Sequence, residues 1–510
     1  MGESKKRVLG ELDAVLAVDT FGGRVQVRWS PGAPATPFGQ LAFFIEFLRT
    51  SGLYESWRET SPLSYSSGNA PSVADVLGTW FLSALAGHRR YAHVSGIRHD
   101  GVSPGLLGMG KVVSEDGLRR ALLKMDGDTG QQWQQQALLR AVQPLLQRGW
   151  VLDIDTTVKP LYGHQEGAEV GFNPHKPGRP SHSYHSYLMA GTRLVLDVDV
   201  QPGNKTASRY SAPGLQRLLG RLSRDEWPRL VRGDAGFGHD AFMGNLEEQE
   251  LPYLFKLRQS ANVKRYIERC LWRSPWTDAG RGWEGVEGEL KLMGWEKPRR
   301  VVLLRRELQG HIALSKHDAN GHIQLALINA TEPYHRYEYA VLVTSLPYDI
   351  AGVAQLYRDR ADCENNFDEL KNQWGWGGFT THDLHRCQLS ARHVALVYNG
   401  WSLFAMLADP RQRREAMTSR PRLLHSLGWR TEHAGQTTLT ITSTHAEHEQ
   451  VRRWIVEVHT LLRGLKKTAE QLLLTDRWRC VAECLIARLH AAKRFFLPPL
   501  PSHIAVAASG

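Results

Sequence analysis

A chain of 510 residues is longer than one ordinary core supports, so roughly two to four domains are expected. Its 42% hydrophobic and 23% charged residues exclude bulk disorder, and its longest nearly apolar run, His393 to Ala408, is interrupted by polar residues and reads as a buried helix, not a membrane span. The net charge of +11 points to a polyanionic partner, because clustered Lys and Arg displace counterions from phosphate backbones; from Trp401 to Gly510 there are 16 Lys and Arg against 9 Asp and Glu, so +7 of the excess lies in the tail.

In chain order, the first 145 residues read as mainly helical after a short β-like start at Val25 to Trp29. Amphipathic stretches fall near Phe38–Arg49, Val73–Ala86 and Glu115–Lys124, with a Ser/Pro-rich linker, SPLSYSSGNAPS, between the first two. At Gly149 the period changes to two. GWVLDIDTTVKPLYG, HSYLMAGTRLVLDVDVQPGN and PRLVRGDAGFG are strands, with a helix over Gly214–Trp227 before the third. Strands followed by helices predict an α/β domain.

From Pro252 to Ser345 the pattern is β-rich, with YLFKLR, GWEGVEGELKL, RRVVLLRREL, HIQLALIN and YEYAVLVTS as strands. One long helical region then runs from Ile350 to Trp374 and a second from His382 to Leu407. That order makes the β-rich block an insertion in a discontinuous α/β domain. The tail after Asp409 reads as mostly helical, with Glu447–Leu473 and Trp478–Phe495 the clearest segments. Five cysteines with no zinc-type spacing, and no charged-then-apolar leader, predict free thiols in a reducing compartment.

Three acidic positions stand out. In VLDIDTT, Asp153 and Asp155 share one strand face, and an acid in the middle of an apolar strand must be paired or metal-bound. LVLDVDV, with Asp197 and Asp199, repeats the pattern, so a plain strand reading competes with a functional one. Asp234, in LVRGDAGFG, follows an apolar strand, where ligand-binding residues of α/β sheets gather; capping the next turn is its bland alternative. In LYRDRADCENNFDELKNQW, Tyr357, Arg360, Glu364 and Lys371 fall within about a 60° arc of a single helix, beside an apolar arc that includes Leu356, Cys363 and Phe367. A phenol, a guanidinium, a carboxylate and an ammonium then share one face. Arg360 and Glu364 alone also read as an ordinary i,i+4 ion pair. Three carboxylates brought together from separate elements suit hard divalent cations used in phosphoryl transfer.

On these residues the chain resembles the DDE transposases of bacterial insertion sequences, in the subgroup with a Y-x2-R-x3-E-x6-K signature and a β-rich insertion before the catalytic Glu. Tyr357, Arg360, Glu364 and Lys371 match that signature without a gap. The Asp-Thr-Thr at Asp155 resembles the family's first catalytic motif and the Gly-Asp-x-Gly-Phe at Asp234 its second. The loop YGHQEGAEVGFNPHKPGRPSHSY and the segment SEDGLRRAL at Ser114 look like one branch of it, and the resemblance spans roughly residues 110 to 410.

The resemblance implies a ribonuclease-H-like mixed sheet flanked by helices and interrupted by a β-rich insertion domain, with helical N- and C-terminal regions. The expected division is 1–145, mainly helical and for DNA end binding; 146–251 with 346–410, catalytic; 252–345, insertion; and 411–510, DNA binding or dimerisation. Asp155, Asp234 and Glu364 would hold two Mg²⁺ or Mn²⁺ ions, with Asp155 bridging. Asp153 stays a rival for the first position, although the paired threonines favour Asp155. Arg360 and Lys371 would contact phosphates near the scissile bond, and Tyr357 would help place the strand end.

An aromatic that holds a flipped base is also implied. Tyr339 is one candidate, with a cross-strand packing role as its simpler reading, and Trp283, Trp295 and Tyr337 stay open. His175, Lys176 and Arg179, on the Gly/Pro-rich loop, are candidate phosphate contacts, though exposed basic loop residues are ordinary. The implied activity is cleavage of insertion-sequence ends and joining of their 3′-hydroxyls to target DNA by two-metal phosphoryl transfer. Its partners would be double-stranded DNA and a second copy of the chain in a synaptic complex, with no membrane, in the nucleoid of a bacterial cytoplasm. A structure-specific nuclease of the same fold, or an inactive DNA-binding derivative, is the alternative.

Overall fold

The computed structural model describes residues 15–28, 34–146, 149–173, 176–271, 275–308, 316–317, 323–324, 337–443, 446–469 and 472–492. An exposed hairpin, β1 (Leu16–Thr20) and β2 (Gly23–Val27), precedes the short β3 (Ala35–Thr36). The longer helices that follow are α1 (Leu41–Ser51), α2 (Leu53–Glu59), α3 (Val73–Leu85), α4 (Glu115–Lys124) and α5 (Gly127–Leu146), with two single-turn helices, Val94–Ile97 and Ser103–Leu106, between α3 and α4. Ser72 starts α3 by accepting the Asp75 N–H at 3.0 Å, and Ser114 starts α4 by accepting that of Gly117 at 3.1 Å. Each side chain satisfies one of the backbone donors that a helix leaves open at its start.

The period-two runs after Gly149 build the centre of one ten-stranded mixed sheet. Strand β4 (Val151–Pro160) carries the DIDTT motif. Beyond it lie β5 (Glu169–Val170), β6 (Pro180–Met189) and β7 (Leu194–Pro202), with β6 antiparallel to β4, β5 and β7. On its other edge β4 pairs in parallel with β8 (Leu230–Gly233), and β8 in parallel with β9 (Tyr253–Lys256). The sheet then continues through β10 (Thr277–Gly280), β11 (Trp283–Leu290), β12 (Arg299–Glu307) and β15 (Tyr337–Thr344), in the order β9-β15-β12-β11-β10. Thus the strands of the 252–345 block share backbone hydrogen bonds with those of DIDTT and RGD. Of the predicted strand HIQLALIN, Ile323–Gln324 forms β14 against β13 (Lys316–His317), and its remaining residues lie outside the described ones.

Helices cover the sheet: α6 (Ala207–Leu219), α7 (Asp240–Glu248), α8 (Ala261–Cys270), α9 (Ile350–Arg358), α10 (Ala361–Gln373) and α11 (Leu384–Ala408). The helix expected over Gly214–Trp227 begins earlier, at Ala207, and ends at Leu219. Ser223 and Glu226 then cap a separate 3-10 turn. Helix α11 is buried along nearly its whole length and packs on β7 and α5, with the His393 ring stacked on Trp80 at 3.7 Å. Helix α9 packs instead on Val302, Leu304 and Leu342, in a second, smaller core.

The tail holds α12 (Ala416–Leu423), α13 (His448–Ala469) and α14 (Leu474–Ala491). It also contains a hairpin, β16 (Gly428–His433) and β17 (Gln436–Ile441), where mostly helix was expected. Ala434 and Gly435 at its tip both have positive φ, as a two-residue turn that follows strand twist requires. Strand β16 also pairs with β3, which ties the tail to the N-terminal region. Among the described residues no helix is long and apolar enough to cross a membrane.

Candidate active site

Parallel pairing of β4 with β8 sets Asp153 opposite Arg232, and two residues further along the two chain segments stand Asp155, still in β4, and Asp234. Asp234 is the first residue past β8, and its Oδ1 accepts the Gly236 N–H at 2.8 Å. A Cβ on Gly236 would stand 3.0 Å from the Ala207 Cβ and 3.1 Å from Asp234 Oδ1. A side chain there would crowd Ala207 and the carboxylate of Asp234, while the backbone itself is not left-handed.

Two acids on one face of β4 have different fates. Asp153, 2% exposed, receives Arg232 Nε at 2.7 Å and Nη2 at 2.8 Å, and the same guanidinium also donates to the Leu356 carbonyl. Both carboxylate oxygens are spent on a buried pair. Asp155, 13% exposed, takes Arg360 Nη2 on Oδ2 at 2.8 Å and the Thr156 N–H on Oδ1 at 2.7 Å. Burial pushes its carboxyl up to about 6; Arg360 pulls the other way, while the negative charges of Asp234 and Glu364 add to the rise. Asp234 and Glu364 thus each stand within electrostatic reach of Asp155.

The expected single helix over Ile350–Trp374 is broken. Helix α9 ends at Arg358 and α10 begins at Ala361, because the backbone tightens: the Arg360 N–H bonds the Tyr357 carbonyl at 3.1 Å, three residues back instead of four. Arg360, 5% exposed, lies at this joint and reaches Asp155, while its Nη1 is 3.9 Å from Glu364. Glu364, 75% exposed, stands one turn into α10. Burial pushes the Tyr357 phenol up to about 12, with Arg360 opposing and all three acids adding to the rise, so it stays a hydroxyl donor near neutrality. Lys371 donates to Thr157 Oγ1, and burial lowers its ammonium while Asp155 raises it. The four signature residues converge despite the break.

The DTT threonines divide the work of the strand. Thr156, on the opposite face, hydrogen-bonds the His185 Nδ1 at 3.1 Å, and Thr157 faces Lys371. Two residues further on, Lys159 donates to Thr380 Oγ1 beside this group. The prediction did not single it out, although the alternation Asp153, Asp155, Thr157, Lys159 carries it along one face.

Tyr339 is half-buried on β15 opposite Arg305; its ionisable neighbours are Arg305 and Tyr337, not the carboxylates. His175 lies outside the described residues. Lys176 and Arg179 are exposed and set their cations over the Tyr162 ring, at 5.1 and 4.9 Å from its centre.

Three carboxylates give a hard, all-oxygen donor set, the kind that suits Mg²⁺ or Mn²⁺ and not a softer metal. The desolvated Asp155 between two other acids is a place where a cation would relieve repulsion. Among the described residues no three His, Cys, Asp or Glu side chains are already gathered to ligand distance, and the exposed Glu364 is the loosest of the set. In donor chemistry the residues fit a divalent ion.

The family described as Transposase DDE domain group 1 matches residues 70–462, well over half of the chain. The chain belongs to this DDE transposase family. The match extends past the 110–410 resemblance at both ends, into α3 and into α13. Transposases of this family act on DNA and depend on divalent metal ions. Among solved structures, the transposase is similar to the piggyBac transposase in a synaptic complex with hairpin DNA, seen by cryo-EM, with 11% identity, 86% of each chain covered and a TM-score of 0.37. No curated protein matches it.

Proposed function

We propose that this transposase cuts the ends of a bacterial insertion sequence and joins the freed 3′-hydroxyls to target DNA at a single site built by Asp155, Asp234 and Glu364. The observation that carries the reading is geometric: the β4–β8 register sets Asp155 and Asp234 at matching positions of adjacent strands, and Arg360 lies 2.8 Å from Asp155 and 3.9 Å from Glu364. The proposed fold is ribonuclease-H-like, with catalytic segments 146–251 and 346–410 and the block 252–345 as an insertion that extends the sheet. When bound at these carboxylates, two Mg²⁺ or Mn²⁺ ions would supply Lewis acidity to the attacking and leaving oxygens.

The side chains account for the rest. Arg360, held by Asp155, and Lys371, held by Thr157, face the carboxylates as cations for non-bridging phosphate oxygens. Tyr357 keeps its proton and offers a hydroxyl to orient the strand end. Asp153 has no part in this chemistry, because Arg232 occupies both its oxygens. We also assign end binding to 1–145 and DNA binding or dimerisation to the basic region 411–510, with two copies in the working complex and the bacterial nucleoid as its place.

The test uses the full chain and a duplex bearing the terminal repeats that flank this reading frame. Asp234→Ala should abolish Mg²⁺-dependent cleavage and leave gel-shift binding of the end nearly intact. Retained cleavage removes Asp234 from the mechanism. Pre-cut ends incubated with a plasmid separate joining from simple nuclease action, and failure to join them would leave the nuclease reading.

A further inference from the structure

Beyond the carboxylates, a groove follows β4 toward its end, lined by Thr157, Lys159, Tyr184, Lys371, Trp376 and Gly377. Gly377 is needed there: its φ is +80°, and a Cβ would come within 3.2 Å of the Lys159 Cδ. Lys159 and Lys371 approach the groove from a strand and a helix, and each ammonium is tethered to a threonine hydroxyl, Thr380 and Thr157 respectively.

The two cations differ in their counter-charge. Lys371 has Asp155 and Asp368 nearby. Lys159 has no carboxylate acting on it among the described residues, and burial holds its ammonium down at about 8. A half-buried cation on a groove wall with no anion of its own is costly unless something brings the anion. Lys159 lies four residues beyond Asp155, about 13 Å along an extended strand, so such an anion would adjoin the reacting group without overlapping it.

We propose that this groove receives the DNA strand next to the scissile phosphate, and that Lys159 binds a neighbouring backbone phosphate there, with Lys371 on the opposite wall and Trp376 and Tyr184 beside the nucleotide. This rests on the transposase reading of the carboxylates and adds a strand-positioning contact to it. Lys159 supplies charge, and Thr380 fixes where that charge sits.

The experiment pairs Lys159→Met, which keeps the aliphatic stem, with terminal duplexes in which one phosphate at a time is replaced by a neutral methylphosphonate. Lys159→Met should slow single-turnover cleavage about tenfold or more, as expected for a lost charge-assisted contact, and Lys159→Arg should recover most of the rate. One neutral phosphate should slow the wild type to a similar degree and slow Lys159→Met no further. In metal-free gel shifts, Lys159→Met should lower the salt dependence of end binding by about 0.9 in log–log slope, the value of one phosphate. A Lys159→Met protein with wild-type rate and slope, or a loss that adds to that of every neutral phosphate, overturns the contact. A lowered melting temperature with equal losses on all substrates assigns Lys159 a packing role and also overturns it. If the wild type binds ends and never cuts them, the transposase reading fails, and the slope alone decides for or against Lys159.

Discussion

Two strands of this molecule carry the same D-x-D pattern, VLDID on β4 and VLDVD on β7, and only one of them leaves an acid open. On β7 both acids are consumed. Asp197 takes Arg392 Nε at 2.7 Å, Arg221 at 3.0 Å and Gln135 at 3.0 Å, and Asp199 takes Arg392 Nη2 at 2.6 Å, Tyr210 at 3.1 Å and Arg217 at 3.2 Å. On β4 Asp153 is consumed in the same manner by Arg232, while Asp155 has a single cation, Arg360, on one oxygen, a backbone N–H from Thr156 on the other, and the repulsion of two other acids. A carboxylate taken out of water is thus saturated where cations match its oxygens and keeps room for another cation where they do not. The surroundings decide this, and the local pattern does not.

The comparison is most severely tested by Asp155→Asn, which keeps an oxygen for Arg360. Cleavage of the element end should fall by several orders of magnitude while the fold persists, measured by single-turnover nicking beside a thermal melt. Arg232→Met should do the reverse: leaving Asp153 buried and unpaired should cost about 3–5 kcal/mol, read as a lower denaturant midpoint, and unchanged stability would break the distinction drawn here.

A smaller effect concerns pH. Asp155 is raised in the folded chain, so the folded state holds this proton more tightly than the unfolded one. Its contribution is fully present below about pH 4 and is lost as pH climbs through about 6, a change of about 2–3 kcal/mol. Metal-free wild-type protein should lose stability across that window relative to Asp155→Asn, and added Mn²⁺ should restore it in the wild type alone, as followed by melting at each pH. The smallest expected change is in the stability of Glu364→Gln. With its side chain 75% exposed, it should melt within about 0.5 kcal/mol of the wild type and yet lose cleavage.

The candidates for the proposed site came from residues alone. Asp155, Asp234 and the four signature positions were legible because each sits in a local pattern: an acid on a strand face, an acid at a strand end, and charges at helical spacing. The choice between Asp153 and Asp155 depended on Arg232, 79 positions away, whose pairing only the β4–β8 register creates. The β16–β17 hairpin escaped because Thr-rich alternation in QTTLTI was set against a basic, helix-forming tail, and its partner strand, β3, lies near the other end of the chain. Lys159 escaped because a lysine near a strand end usually reaches water, and the groove that confines it is made by residues more than 200 positions further on.

The joint at Arg360 has a further consequence for the third acid. Had α9 and α10 been one rod, Glu364 would lie in mid-helix, where the backbone dipoles cancel around it. The interruption makes Glu364 a first-turn residue of α10, at the positive pole of a new helix, where unpaired amide N–H groups favour negative charge. The kink therefore sets the Glu364 side chain at a helix start and beside Arg360, on the side of α10 that a cation-binding acid would occupy.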